Sequence, residues 1–404
     1  MEFNLLKPHF RWRFCIAFLL LMLFCQNNYS PEEEEPDGIT FFKMLGTSID
    51  EIAYMSRQTS DSGYITVGFS AVNPLGGPYG AYLLRTDVYG NEKWSKTYSF
   101  GSYTDGRSVI QTNDGGFIVF GDTYVQDSAG NFLLLKTDKN GNQEWMKTCG
   151  TNVNEESNCI CQTSDNGFAI TGFTAYQAGE GFNVYLVKTD ESGNKEWDNT
   201  FGGDSVDWGS SVVQTADDGF IVVGMTKSYG AGKFGIYIIK TDKNGQEEWS
   251  ETYGGAYKDE ALSIQPTIDN GYIVTGYSSF EDGYDYRVFL LKLDNLGKEE
   301  WYKTVTGEGY AIGRSIQQCS DGGFIIAGEN FVTNYNENAF LVKTDRSGTL
   351  QWWKSFGGVS TDIAEAVIQT YDGGYLVTGR SYDKETSQFD FLLVKTDRNG
   401  LVEF

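Results

Sequence analysis

The stretch Ser108-Val-Ile-Gln-Thr-Asn-Asp-Gly-Gly-Phe-Ile-Val-Phe120, continued by Phe132-Leu-Leu-Leu-Lys-Thr-Asp-Lys-Asn-Gly-Asn-Gln-Glu-Trp-Met-Lys-Thr148, decides how this chain folds. Ser108–Thr112, Phe117–Phe120 and Phe132–Leu135 are short runs rich in aromatic and branched residues, fenced by Gly, Asn and Asp, and a further run leads through Trp145 to Thr148. None keeps a helical apolar period for long enough, so the pattern predicts a four-stranded antiparallel meander. Asn113 to Gly116 reads as a turn whose glycines take positive φ without steric cost.

The unit is written seven times. Its marker, Asp-x-Gly-aromatic, places glycines at Gly63, Gly116, Gly167, Gly219, Gly271, Gly323 and Gly374, at spacings of 51 to 53 residues. So regular a period marks an array of identical folding units. A second motif, Asp-x-x-Gly, joins the third and fourth runs in every copy, from Asp87 to Gly90 through to Asp397 to Gly400. It predicts a hairpin in which the carboxylate accepts backbone N–H bonds and the glycine is left-handed, with an oxygen-rich metal loop as the rival reading. Trp94, Trp145, Trp197, Trp249, Trp301 and Trp352 stand seven residues beyond that aspartate, a fixed register that predicts indoles packed between neighbouring sheets.

Four-stranded sheets must stack to hide their faces, as an open array or a ring. The ends select the ring. Phe404 falls at the tryptophan position of an unfinished last strand, whereas Phe41-Phe-Lys-Met-Leu-Gly46 reads like Trp145-Met-Lys-Thr-Cys-Gly150. A first segment that completes the last sheet removes the exposed edges. The fold expected is therefore all-β, a seven-bladed β-propeller of four-stranded antiparallel blades, closed by an N-terminal strand. The Asp-Gly-Gly-Phe-Ile-Val strand, the Leu-Val-Lys-Thr-Asp-x-Asn-Gly turn and the tryptophan strand resemble the delta-60 type repeats of secreted bacterial and archaeal propellers, and are similar to kelch and quinoprotein tryptophan-docking repeats. The resemblance covers residues 39 to 404 and implies blades without implying a function. The Gly-Gly doublets of kelch blades are missing and the docking motif is one residue short of the quinoprotein form, so no pyrroloquinoline quinone site is carried over.

Residues 1–24 have the layout of an export signal, with Lys7, Arg11 and Arg13 ahead of the apolar run Phe14 to Phe24, too short to span a bilayer. Cys25, followed by an acidic stretch over residues 25–38, reads as a lipidation site with a tether, although Phe24 stands where such signals want a small residue. The formal charge of −24 becomes −26 once the signal, with three positive residues and one negative, is removed. That surface repels polyanions, so no nucleic-acid partner is expected, and a membrane only through the lipid anchor. Cys149, Cys159, Cys161 and Cys319 fall outside the repeat consensus and form no evident disulfide framework, a Cys149–Cys159 bridge remaining open.

The only histidine is His9, inside the signal, which removes imidazole chemistry from the mature chain. Carboxylates remain. Glu51, Asp105, Glu155, Asp207, Asp259 and Asp362 recur eleven or twelve residues before the marker glycine. They predict either an acidic crown around the channel, able to hold Ca²⁺ or a cationic ligand, or six separate loop caps. Tyr124, Tyr176, Tyr229, Tyr284 and Tyr382, in the variable segments between the second and third strands, are candidate ligand contacts. The basic residues that close the third strands (Arg85, Lys136, Lys188, Lys240, Lys292, Lys343, Lys395) are expected to pair strands, and the glutamines ending the first strands (Gln58, Gln111, Gln162, Gln214, Gln318, Gln369) to bond to the adjoining turn. The function expected is a non-catalytic binding or scaffold module at the cell surface, with a surface glycan or protein as partner and no cofactor other than Ca²⁺. The rival is a carbohydrate-active enzyme that uses channel-mouth carboxylates.

Overall fold

The computed structural model describes residues 38–403, apart from short breaks at 47–49, 72–77, 126–128, 152, 176–180, 231–232, 281–284, 306, 308, 334–335, 358–359 and 386. Cys25, with the signal and tether, and Phe404 lie outside the described residues, as do Tyr176 and Tyr284. Among those described there are 29 strands and no helix. Blade 4 shows the plan: Asp207–Gln214 on the inside, then Phe220–Thr226, Gly235–Thr241 and Glu247–Tyr253, paired antiparallel in that order. Blade 2 departs slightly. Its inner strand is split into Tyr103–Thr104 and Ser108–Gln111, and Tyr103 also pairs in parallel with Tyr79 of blade 1. The second strand of blade 4 is buried throughout, and the outer strand alternates only weakly, as expected when neighbours cover both faces of the inner strands.

The repeated motifs form one hydrogen-bonded knot per blade. In blade 2 the Asp114 carboxylate accepts from the Thr112 hydroxyl (2.6 Å), the Gly116 N–H (2.9 Å) and the Lys136 ammonium (2.9 Å), and the buried Lys136 also donates to the Thr137 carbonyl (2.9 Å) and pairs with Glu144 (3.1 Å). A Cβ on Gly116 would lie 2.2 Å from that carbonyl, so the marker position excludes any side chain. The Asp-x-x-Gly hairpins hold as expected: Asp138 Oδ1 accepts N–H bonds from Asn140 and Asn142 at 2.8 Å, and Gly141 has φ of +75°.

These knots have a pH consequence. Hydrogen bonds from Thr112 and Lys136 hold Asp114 at about 2, and against the upward push of partial burial Lys188 and Thr163 hold Asp165, and Thr215 and Lys240 hold Asp217, at about 2 as well. A carboxyl depressed in the folded state contributes stability above its unfolded value near 3.8, and that contribution is lost as pH falls towards about 2. Melting temperature should therefore drop through this window, and Asp217→Asn should make the slope shallower. Equal slopes for the variant and the wild type, followed by circular dichroism, would remove the knot from the account of acid sensitivity.

Seven apolar clusters lie between adjacent blades, and the tryptophans belong to these seams. Trp94 meets Phe117 of the next blade edge-on at 6.1 Å, and a Cβ on Gly141 would come within 2.8 Å of the same indole. Trp145 stands in the same way over Gly193, and Trp197 over Gly245. The seventh seam uses Phe41, whose ring lies edge-on to Tyr64 at 6.3 Å and against Gly90. Its strand, Phe41–Leu45, pairs antiparallel with the last strand of the chain, Gln388–Thr396, through Phe41 opposite Lys395 and Leu45 opposite Phe391. Blade 7 is thus completed from the N-terminus, and the ring is closed.

The glutamines do more than the sequence led us to expect. Gln318 donates to Gly322 of its own turn (3.0 Å) and accepts the Ile268 N–H of the preceding blade (2.7 Å). Gln369, Gln214 and Gln111 accept in the same way from Ser320, Ser164 and Ser60. Gln58 takes the Tyr371 N–H (2.8 Å) across the junction of the first and last blades, so these side chains clasp neighbouring blades as well as capping turns.

Candidate functional site

The inner strands line an axial channel with a cavity volume of about 950 Å³. Six of the inner strands carry a β-bulge, and that of blade 2 is interrupted at the equivalent place. In six blades the register slips across one residue, Tyr54, Asn158, Ser210, Leu262, Arg314 or Glu365, and in blade 2 Arg107 sits at the break between the two pieces of the strand. All seven stand nine residues before the marker glycine, and all seven line the channel. A bulge leaves one residue out of the ladder and re-aims its side chain, here towards the axis.

Charge is concentrated on this ring. The Arg314 guanidinium bonds to Glu329 (2.5 and 2.9 Å) and lies 3.3 Å from Glu365, which is also 3.1 Å from Arg380. Glu365 thus bridges two arginines. Arg107 lies 2.8 Å from Asp105 as an ion pair that lacks hydrogen-bond alignment, and it stacks over the Tyr54 ring at 4.5 Å. Burial pushes the Tyr54 phenol up to about 12. Two residues further up the strands, Trp208 donates from Nε1 to Glu260 (2.9 Å) and stacks on Phe173 with ring centroids 6.0 Å apart. Burial raises the Glu260 carboxyl above its ordinary range, opposed by the hydrogen bonds from Tyr277 and Trp208.

The six acids singled out in the sequence are brought to equivalent places but not to one another. Glu51, Glu155, Asp207, Asp259 and Asp362 are each the first residue of an inner strand, at most 3% exposed, and none lines the channel. Each accepts from a hydroxyl nineteen residues on: Ser70 to Glu51 (3.2 Å), Thr174 to Glu155 (3.2 Å), Thr226 to Asp207, Ser278 to Asp259 and Ser381 to Asp362 (2.5 Å). Backbone N–H groups of the incoming loop add to this, from Thr151 to Glu155 (3.0 Å), Gly203 to Asp207 (2.9 Å) and Gly255 to Asp259 (2.8 Å). This is the geometry of loop caps.

Asp105 has a different position. Thr104 occupies the capping register of blade 2, opposite Thr123, and Asp105 lies one step inward, where it accepts the Asp122 N–H (2.8 Å) and the Tyr103 hydroxyl (3.1 Å) beside Arg107. Among the described residues no three carboxylates or thiols form a group able to hold a metal ion. The four cysteines Cys149, Cys159, Cys161 and Cys319 are free thiols.

The tyrosines are spread over the blades. Tyr124 ends a second strand, edge-on to Tyr103 at 5.6 Å, and its hydroxyl reaches Glu156 at 3.4 Å. Tyr229 is 44% exposed and donates to the Gly202 carbonyl (2.8 Å), and Tyr382, within a second strand rather than a loop, packs on Phe389 at 5.2 Å. None of the three lines the channel. The residues that do, Arg107, Trp208, Glu260, Arg314, Glu365 and Arg380, were passed over in the sequence. One signal could have found them, namely non-repetition at a fixed distance from a repeated glycine.

No protein-family model matches the sequence, and no curated protein matches it either. Solved structures do. The WD40 domain of Neurospora crassa Pan2 superposes with a TM-score of 0.50 at 9% identity, over 87% of this chain and 91% of that one. Puromycin hydrolase superposes with a TM-score of 0.52 at 12% identity, over 87% of this chain but only 56% of that one. This chain is a seven-bladed β-propeller. At such identities the likeness concerns the fold alone, and the structures matched include a WD40 domain and a hydrolase alike.

Proposed function

We propose that this propeller is an exported, lipid-tethered module that binds a surface glycan or a protein segment at the mouth of its channel, without acting on it chemically. The observation that carries this reading is the bulge ring. Seven structurally equivalent positions hold six residue types, while the knots, hairpins and seams around them repeat blade after blade. A uniform scaffold with one individually varied ring has the division of labour of a binding site. Trp208 and Phe173 offer apolar faces beside Glu260, Arg314 and Glu365, a mixture suited to a sugar ring or an extended peptide.

The engagement of the carboxylates supports binding over catalysis. A glycosidase needs one protonated acid and one free carboxylate facing each other across the substrate. Here Glu365 is held between two guanidiniums, Glu329 by Arg314, and Glu260 by an indole and a phenol. Export and tethering rest on the basic-apolar run ahead of Cys25.

A glycan and peptide array with the purified protein tests the ligand, alongside a panel of chromogenic glycosides. Trp208→Ala should weaken array binding at least about tenfold, the loss of one stacked aromatic contact in a desolvated site, and no glycoside should turn over. Turnover abolished by Glu260→Gln would overturn the non-catalytic reading. Metabolic labelling with palmitate should mark the wild type and not Cys25→Ser. An unlabelled wild type would remove the anchor.

A further inference from the structure

The far half of the channel is chemically unlike the mouth. Six residues before the marker glycine, Arg57, Ile110, Cys161, Val213, Gln265 and Gln317 line it, and no carboxylate stands among them. Arg57 is partly buried there, and its side chain has no ion pair or hydrogen bond among the described residues. Every other arginine on the channel wall is paired: Arg107 with Asp105, Arg314 with Glu329 and Glu365, Arg380 with Glu365. The exception is isolated in a protein whose formal charge is −24.

Its surroundings do not compensate it. Cys159 is the one ionisable side chain with an electrostatic influence on it. Burial pushes the neighbouring Cys161 thiol up to about 12, which keeps it protonated and uncharged at neutral pH. The turn aspartates at this end of the channel are already taken: Asp61 by Arg85, Asp114 by Lys136, Asp165 by Lys188, and so on round the ring to Asp372 by Lys395. A guanidinium withdrawn from bulk water and left unpaired costs stability, and the cost is offset when an anion arrives. Two amide side chains stand at the same level of the channel wall, on the inner strands of blades 5 and 6. Gln265 has no hydrogen-bonded partner among the described residues, and Gln317 uses only its carbonyl, which accepts the Gln369 N–H at 2.6 Å.

We propose that the far half of the channel is a binding site for a small carboxylate-bearing ligand, with the Arg57 guanidinium taking the carboxylate and the Gln265 and Gln317 amides donating to it. The planar fork of arginine matches a carboxylate in two parallel N–H···O bonds. A single positive charge suits a monoanion, whereas a phosphate dianion would meet the repulsion of an acidic protein without enough cations to hold it. The whole channel, of which this is one half, encloses about 950 Å³, room enough for a small ligand in each half. This site is separate from the aromatic mouth, so either assignment can fail without the other.

Calorimetric titration of the full-length protein with acetate, D-galacturonate and triglycine, set against D-galactose and inorganic phosphate, tests it. At least one carboxylate should bind with Kd below about 1 mM, Arg57→Gln should weaken it by about tenfold or more, and Arg57→Lys should fall between, since a point charge keeps the attraction but loses the fork. Galacturonate against triglycine distinguishes a sugar acid from a peptide terminus. Without ligand, Arg57→Gln should melt at a higher temperature than the wild type, because it removes an uncompensated charge. No carboxylate binding at about 10 mM, binding of phosphate alone, unchanged affinity in Arg57→Gln, or a lower melting temperature for that unliganded variant would each overturn the assignment.

Discussion

Deleting residues 1–46 is expected to unfold the propeller or leave it melting far below the wild type. The deletion removes the strand Phe41–Leu45 and leaves its five partner residues on the last strand unpaired. It also takes the Phe41 ring out of the seam it shares with Tyr64, Leu84 and Phe391. A lost aromatic burial and a lost strand ladder together cost about 5 kcal/mol or more, comparable with the whole stability of many domains. The edge of Gln388–Thr396 would then be open to pairing between molecules, so the survivors should dimerise or aggregate on size exclusion. Appending the segment from Phe42 to Gly46 after Phe404, which falls at the same place in the repeat as Phe41, should restore the melting temperature, because an equivalent strand then reaches the same edge from the other terminus. A truncated monomer that melts like the wild type would show that the ring does not depend on this closure.

Arg314→Met should be the most damaging single substitution in the channel. Arg314 holds Glu329 and Glu365, whose side chains are 4% and 10% exposed, and removing it strands the buried Glu329 carboxylate and leaves Glu365 with Arg380 alone. Breaking a buried pair from one side costs about 3–5 kcal/mol, mostly the penalty of the charge left behind. The double variant Arg314→Met with Glu329→Gln should recover a large part of that loss, since it removes the orphaned charge along with its partner. Urea denaturation of the four proteins in the cycle measures it, and additive losses would mean that the pair is not coupled as the geometry requires.

Local motifs were legible in the sequence where their chemistry is local. The Asp138 hairpin, the turn glycines and the strand alternation obey rules acting within a few residues, and the structure follows them. Strand lengths were less legible. The second strand of blade 2 runs to Tyr124, beyond the apolar run ending at Phe120, because Gly121, Asp122 and Thr123 are polar or small yet buried by the adjacent blades. Asp105 was aligned with the capping acids, although Thr104 holds their register and Asp105 pairs with Arg107. The spacing of eleven instead of twelve residues was the visible trace of that difference.

By itself the sequence determined the meander, the seven-fold array and its closure through the segment at Phe41, because period, turn chemistry and the matching ends are written in the order of residues. Only the tertiary structure decided what faces the axis. A strand without a bulge would send alternate residues to opposite faces, and the bulge at Tyr54, Arg314 and Glu365 breaks that alternation and turns one residue per blade inward. The contacts that follow, Arg314 with Glu365 of the next blade and Trp208 with Glu260 of the next, join residues about fifty positions apart, a distance that no local rule spans.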